Sequence, residues 1–460
     1  MPEPLMFPEI RSAFETNADT PMPVDVVADG AGDLPSWYEV SQLAVEAIGA
    51  AASELSRLSV STGRSPPSVT IDRARSSFWF KTSLDPQGWS LPPIWDAIAG
   101  DYRTADGWIR LHTNAAHHRK AALTALDLGH DADKPAVAEA VAQWRGDDLE
   151  TAIVSAAGCA AVMRSHQAWL AHAQGTAVAH EPLVAWTTIE QARPSDRVGV
   201  SPGAPLSGVR VLDLTRVLAG PVSTRLLAAF GADVLRIDPP FWSEATLEPE
   251  MTVGKRCAGL DLRQADDRAT FEGLLREADV FVHGYRSDAL EGLGYGAQEL
   301  RQYNPRLVDV ALCAYGWTGP WAQRRGFDSL VQMSSGIAEF GMRSEHGHEP
   351  RPLPAQALDH ATGYLMAAAV LQAVRRQRSQ GCVLSARLSL ARTAHLLASS
   401  ERSSLSGGLR VPNDADFAPE QELTVWGPAR RMLLPFEIED LEPHWRYPAG
   451  RLRSQPAAWL

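Results

Sequence analysis

From residue 206 onward, short apolar runs alternate with amphipathic ones. GVRVLDLT, DVLRID, CAGLDL, DVFVHGY and LVDVALCAYG are compact, rich in β-branched residues and bounded by Gly, Pro or Asp, which predicts strands. Between them, AGPVSTRLLAAFGA, QADDRATFEGLLREA and QELRQYN carry apolar residues at helical spacing. Pro221 suits the first turn of the first of these helices. Strand–helix alternation at this spacing predicts an α/β fold: an open, mostly parallel sheet flanked by helices. A long helix, TGYLMAAAVLQAVRRQR, ends at Ser-Gln-Gly. After residue 401 periodicity fades, so this tail of the large domain (206–460) reads as mostly irregular.

The first half has another rhythm. Residues 1–35 are polar, contain Pro and Gly, and read as an irregular lead-in. In 36–80, VSQLAVEAIGAAASELSRL predicts a helix and SVTIDRA a strand, a unit expected to pack on the large domain. Residues 81–192 are compact and mixed and predict a smaller α+β domain. There DGWIRLHT reads as a strand after a D-G turn, and HHRKAALTALDLG and KPAVAEAVAQWRGDDLETAIVSAAG read as helices. Residues 193–205 are rich in Pro, Gly and Ser and read as a linker. One echo crosses it. A long helix, a Gly-containing breaker and a strand end in TIDRARS in the first half and in RLSLART in the second.

Composition narrows the function. The 460 residues are 45% hydrophobic, enough for large cores without disulfides or metal. The formal charge of −12 argues against phosphate-backbone binding to nucleic acid, yet it allows a local basic pocket for one phosphorylated ligand. Four scattered cysteines, with no C-x-x-C pair, fit a reducing compartment. The N-terminal stretch lacks signal-peptide character, and no run is long enough to span a membrane, so a cytoplasmic protein is expected. Seven histidines fall between His112 and His180, but not at metal-ligand spacing, and no metal is expected.

The second half resembles the family III CoA-transferases, or CaiB/BaiF family, in five ordered segments. They are GVRVLDLTRVLAGPVSTRLLAAFGADVLRIDPP, GKRCAGLDL, ADVFVHGYRSDALEGLGYG, NPRLVDVALCAYGWTGPWAQRRGFDSLVQMSSG and LDHATGYLMAAAVLQA. The segment order departs from the family, because the part resembling its small domain comes first here. The chain reads as two overlapping pieces of one ancestral domain joined near the linker, an arrangement that would explain the echo. The resemblance implies acyl-CoA and a small carboxylic acid as substrates, with coenzyme A exchanged rather than permanently bound. It also implies a homodimer of interlocked chains, which the altered order either keeps or replaces by one unit rebuilt within a chain.

Site residues follow from the same resemblance. Asp359 stands at the family nucleophile, whose carboxylate forms an anhydride and then a thioester with CoA. From local sequence alone, N-cap is the favoured reading of an Asp before a helix, and the five surrounding matches reverse it. Arg216, Val217, Leu218 and Ala219 match the strand-end loop that meets CoA, and Lys255 and Arg256 match a second CoA-contacting motif. Gly284 and Tyr285 occupy the place of a family Asn-Phe, and Tyr315 and Gly316 open a turn of the G-[FY]-G-x-T-G-P type. Pro239 and Gly292 stand where family cationic contacts are common, and no Gly run precedes YRTADGW; Gly88 and Gly407-Gly408 are the nearest substitutes. Family racemases carry His in the middle of the triplet here read as Gly326-Phe327-Asp328. Phe327 cannot move a proton, which favours transfer over racemisation. A racemase/epimerase and a non-catalytic CoA-binding partner subunit stay open as alternatives.

Overall fold

The computed structural model describes residues 6–15, 22–60, 64–191, 203–286 and 288–460. Its largest sheet has seven strands. Their order is Arg256–Gly259, Asp233–Asp238, Arg210–Leu214, Val280–His283, Val308–Cys313, Cys382–Ser389 and Ala185–Gln191. The first six run parallel and the last is an antiparallel edge. Strands such as Val280–His283 and Val308–Cys313 are buried throughout, as expected where helices cover both faces. Strand order reverses direction between Arg210–Leu214 and Val280–His283. In open α/β sheets a ligand crevice forms beyond the C-terminal ends of strands at such a switch point.

The predicted α/β sheet and the smaller α+β part are both present. Ala185–Gln191 differs from expectation: it was assigned to the smaller domain but pairs with Cys382–Ser389 of the large sheet. The linker expected at 193–205 lies outside the described residues up to 202. The lead-in is more regular than its composition suggests. Pro8–Phe14 is a helix because Ile10 and Phe14, one turn apart, are both buried. Val26–Asp29 pairs with Val69–Asp72. The tail also contains strands. Phe417–Thr424 and Gly427–Met432 form a hairpin that adds Leu84–Pro86, and Phe436–Ile438 pairs with Val69–Asp72.

The long helix Ala357–Gln380 is the central strut. It is buried almost all round, so its sequence shows little amphipathic stripe. It packs against Val40–Leu58 on one side and Ala219–Ala229 on another. A Cβ on Gly363 would stand 2.4 Å from the Ala219 carbonyl oxygen, so glycine is what lets these two backbones approach. Gly381, in the left-handed region at φ 69°, ends the helix. The echo is structural as well. Val40–Leu58, Val69–Asp72 and Arg73–Trp79 follow one another as Ala357–Gln380, Cys382–Ser389 and Leu390–Ala398 do.

The smaller unit is an antiparallel sheet of Gly100–Arg103, Trp108–Leu111 and Ala160–Val162. It shares a core with Ala116–Ala125, Lys134–Val141 and Gly146–Ser155. Cys159 and Ala161 pack with Leu330 and Met333, and Arg164 donates its N–H to the Met333 carbonyl (3.0 Å). The small sheet is thereby seated on helix Asp328–Ser334, whose first residue meets the start of the central strut.

Candidate active site

A cleft of about 550 Å³ opens at the switch point. Its walls come from the strand-end loops, the start of the central helix and the small unit. The loop after Arg210–Leu214 turns sharply at Val217, a β-branched residue at φ 64°. That conformation is sterically costly for valine and is held by its surroundings. Its N–H donates to Glu244 Oε2 (2.9 Å), and the Trp242 indole donates to the same oxygen (2.8 Å). Glu244 and Asp238 are both paired with the buried Arg236. Trp242, fixed in this way, lies 4.7 Å from the Arg216 guanidinium, and the Tyr285 ring lies 4.8 Å from it. Arg216 Nη2 also donates to the Tyr285 hydroxyl (2.6 Å). The cation is therefore preorganised between two rings without a carboxylate partner among the described residues.

Asp359 opens onto the same cleft although only 8% of it is exposed. It lies in the first turn of Ala357–Gln380, but it is not the cap. Asp328 fills that role: its carboxylate accepts the N–H groups of Leu358 (2.8 Å) and Asp359 (3.0 Å) and a hydrogen bond from Gln332. The Asp359 carboxyl accepts no hydrogen bond among the described residues and is left for a ligand. Burial, and secondly the charge of Asp328, push its pKa well above the ordinary carboxylate range. Burial raises Asp328 to about 6, against the opposing pull of its three donors.

The cleft brings Arg216, Val217, Ala219, Gly284 and Tyr285 together with Asp359. It does not bring in the other residues expected there. Leu218 precedes helix Ala219–Ala229 and is buried. Lys255 is buried and bonded to Asp213, Thr224 and the Pro221 carbonyl, and burial lowers its pKa to about 8. Arg256 pairs with Asp233 at the sheet edge (2.9 Å). Both side chains hold the fold through these partners, and neither lines the cleft, where they are expected as ligand contacts. Tyr315 is buried against the Ser334 hydroxyl (3.1 Å), and the turn at Gly316 is held by Glu181, which accepts the N–H groups of Trp317 and Thr318. Neither Tyr315 nor Gly316 lines the cleft, and neither do Gly88, Gly407 or Gly408.

Phe327 faces the cleft and stacks on the buried His112, with centroids 3.7 Å apart and planes 7° apart. His117 and His118 extend this wall from the small unit. His118 approaches Cys159 (3.6 Å), and burial lowers its pKa to about 3, so it is neutral at physiological pH. Sequence reasoning missed Trp242, Glu244 and the capping role of Asp328. Only Asp328, within the quoted triplet, carried any sequence signal.

Residues 206–414 match the family model described as CoA-transferase family III. That region is similar to CoA-transferase family III. A probable fatty acyl-CoA transferase of Mycobacterium tuberculosis is 32% identical over 195 residues, covering 39% of this chain and 49% of that protein. A succinate–glutarate CoA-transferase of Agrobacterium fabrum is 32% identical over 189 residues, covering 37% and 47%. A solved CaiB/BaiF family protein from Brucella suis is 25% identical, with a TM-score of 0.38, covering 49% of this chain and 65% of that one. The chain spans about half the length of the curated relatives it matches. The matched region supplies both the strand-end loops and Asp359, whereas His117 and His118 come from outside it.

Proposed function

We propose that this protein transfers CoA between an acyl-CoA thioester and a carboxylic acid, with Asp359 as the covalent acceptor. One observation carries the reading: a buried carboxyl that accepts no hydrogen bond among the described residues opens on the same cleft as the preorganised Arg216–Tyr285 loop. CoA's phosphates suit the arginine side, and its thioester would then lie toward Asp359. An Asp359 oxygen attacks the thioester carbonyl; the C–S bond breaks and CoA thiolate leaves an acyl-aspartyl anhydride. The thiolate returns to the Asp359 carbonyl, expels the first acid and forms an aspartyl thioester. The acceptor carboxylate attacks that thioester, and the thiolate then takes the acceptor's acyl group and regenerates Asp359. Each step exchanges acyl derivatives of similar energy, which divides one hard transfer into easier ones.

The high pKa of Asp359 fits an energised nucleophile, since burial leaves its charge poorly solvated. Phe327 and the stacked, buried His112 offer no second acid/base at the place where a racemase needs one. The small unit docks beside Asp359 within the same chain, which supports a site completed in one copy. The test is CoA exchange between acyl-CoAs and free acids, read by mass spectrometry. Wild type should exchange, and Asp359→Asn should lose at least about 10³-fold, as expected when a covalent step is deleted. Solvent deuterium uptake at Cα without exchange would instead indicate racemisation, and acyl-CoA binding with neither would indicate a binding subunit.

A further inference from the structure

Glu244 divides its two oxygens between the fold and the cleft. Oε1 pairs with the buried Arg236, which Asp238 also holds in bidentate fashion (2.8 and 3.1 Å). Oε2 accepts both the Val217 N–H and the Trp242 indole N–H. Thr246, two residues on, donates its hydroxyl to the Pro93 carbonyl (2.9 Å), so the segment that carries Glu244 is tied at a further point. Glu244 makes no ion pair with Arg216 among the described residues; its charge is answered by Arg236 instead. Nor does Glu244 line the cleft, so any effect it has there must pass through Val217 and Trp242.

Both of these bear on Arg216. Val217 follows it directly, in a left-handed conformation (φ 64°) that valine adopts only where its surroundings enforce it. Trp242 is one of the two rings that enclose the Arg216 guanidinium, and it packs in a cluster with Ala115, Cys257 and Leu452. A guanidinium enclosed by rings has its edge N–H groups to offer, which suits an oxyanion lying in its plane. Such a contact depends on direction, so the groups that fix the loop and the ring decide how well it is made.

We propose that Glu244 is a positioning residue for the phosphate end of CoA: acting through Val217 and Trp242, it sets the edge of Arg216 toward a phosphate oxygen. This rests on the transfer reading above. The experiment compares an acyl-CoA with the matching acyl-pantetheine, which carries the thioester but no phosphate. Both are assayed with wild type, Glu244→Ala, Glu244→Gln and Trp242→Phe. Glu244→Ala should lower the ratio of kcat/KM for acyl-CoA to that for acyl-pantetheine by about 10-fold, the scale of one misplaced charge-assisted contact. The loss should appear in the acyl-CoA KM, because a phosphate contact is made in the ground state and the transition state alike. Glu244→Gln keeps an oxygen for the two N–H groups and should recover part of the loss. Trp242→Phe keeps a ring but gives up the indole N–H. Added to Glu244→Ala it should cost less than it does alone, since the two act along one path. Equal losses on both thioesters, a loss confined to kcat, or full additivity would overturn the proposal. Should Glu244→Ala fail to fold, Glu244→Gln and Trp242→Phe are read by the same ratio. Calorimetry with CoA and with pantetheine gives an arm independent of turnover. Weaker binding of CoA to Glu244→Ala, with pantetheine bound as in wild type, supports the positioning role even where exchange fails. Unchanged CoA binding in Glu244→Ala overturns it while the transfer reading stands.

Discussion

Two carboxyl groups meet at the start of the central helix, and their donors are divided unequally. Asp328 takes two backbone N–H groups and the Gln332 amide, while Asp359 takes none. The cost of burying two like charges therefore falls on Asp359. The sign for catalysis follows. The nucleophile must be ionised, so the acid limb of the rate profile lies above the ordinary carboxylate range. Asp328→Asn removes the neighbouring charge and keeps an amide oxygen for the backbone N–H groups, so that limb should move to lower pH. An unmoved limb in kcat/KM against pH would show that Asp328 does not tune Asp359. The ordered motifs made Asp359 legible in the sequence, but its local setting suggested the wrong structural role. The cap lies 31 residues earlier in the chain, and no local pattern reports so distant a partner. The placing of Lys255 and Arg256 was hidden for a related reason: a Lys-Arg pair reads alike whether its charges face ligand or are paired with Asp213 and Asp233.

The central helix owes its place to Gly363, where the Ala219 carbonyl comes too close for any side chain. Gly363→Ala also puts its Cβ near Val222, at 2.9 Å, and must push the two helices apart. Overpacking of this kind costs about 1–3 kcal/mol. Because Ala219 lines the cleft, the acyl-CoA KM should rise along with the fall in the urea midpoint. Full stability with unchanged KM would contradict the close packing. Elements with strong periodicity or dense apolar runs, among them the parallel strands and the long helix, were legible from pattern alone. The hairpin Phe417–Thr424 and Gly427–Met432 was not, because its half-exposed strands show little alternation. Pro8–Phe14 is only seven residues long and is held by packing rather than propensity.

The molecule combines a region that matches the family III model with a small sheet that precedes it in the chain. The sequence suggested two overlapping pieces but left open whether the site forms within one chain or between two. Docking of Cys159 and Ala161 on Leu330 and Met333 places His117 and His118 across the cleft from the strand-end loops of the same copy. Such contacts between residues far apart in sequence arise from surface fit, which residue patterns do not encode. The most direct measurement takes the smallest species isolated by size exclusion and sized by light scattering. It is incubated with an acyl-CoA donor alone, quenched with hydroxylamine and mapped by peptide mass spectrometry. The account predicts a monomer that carries a hydroxamate on Asp359, approaching one per chain and absent from Asp359→Asn. A monomer that exchanges CoA without any adduct at Asp359, or an Asp359→Asn protein exchanging at the wild-type rate, would contradict it.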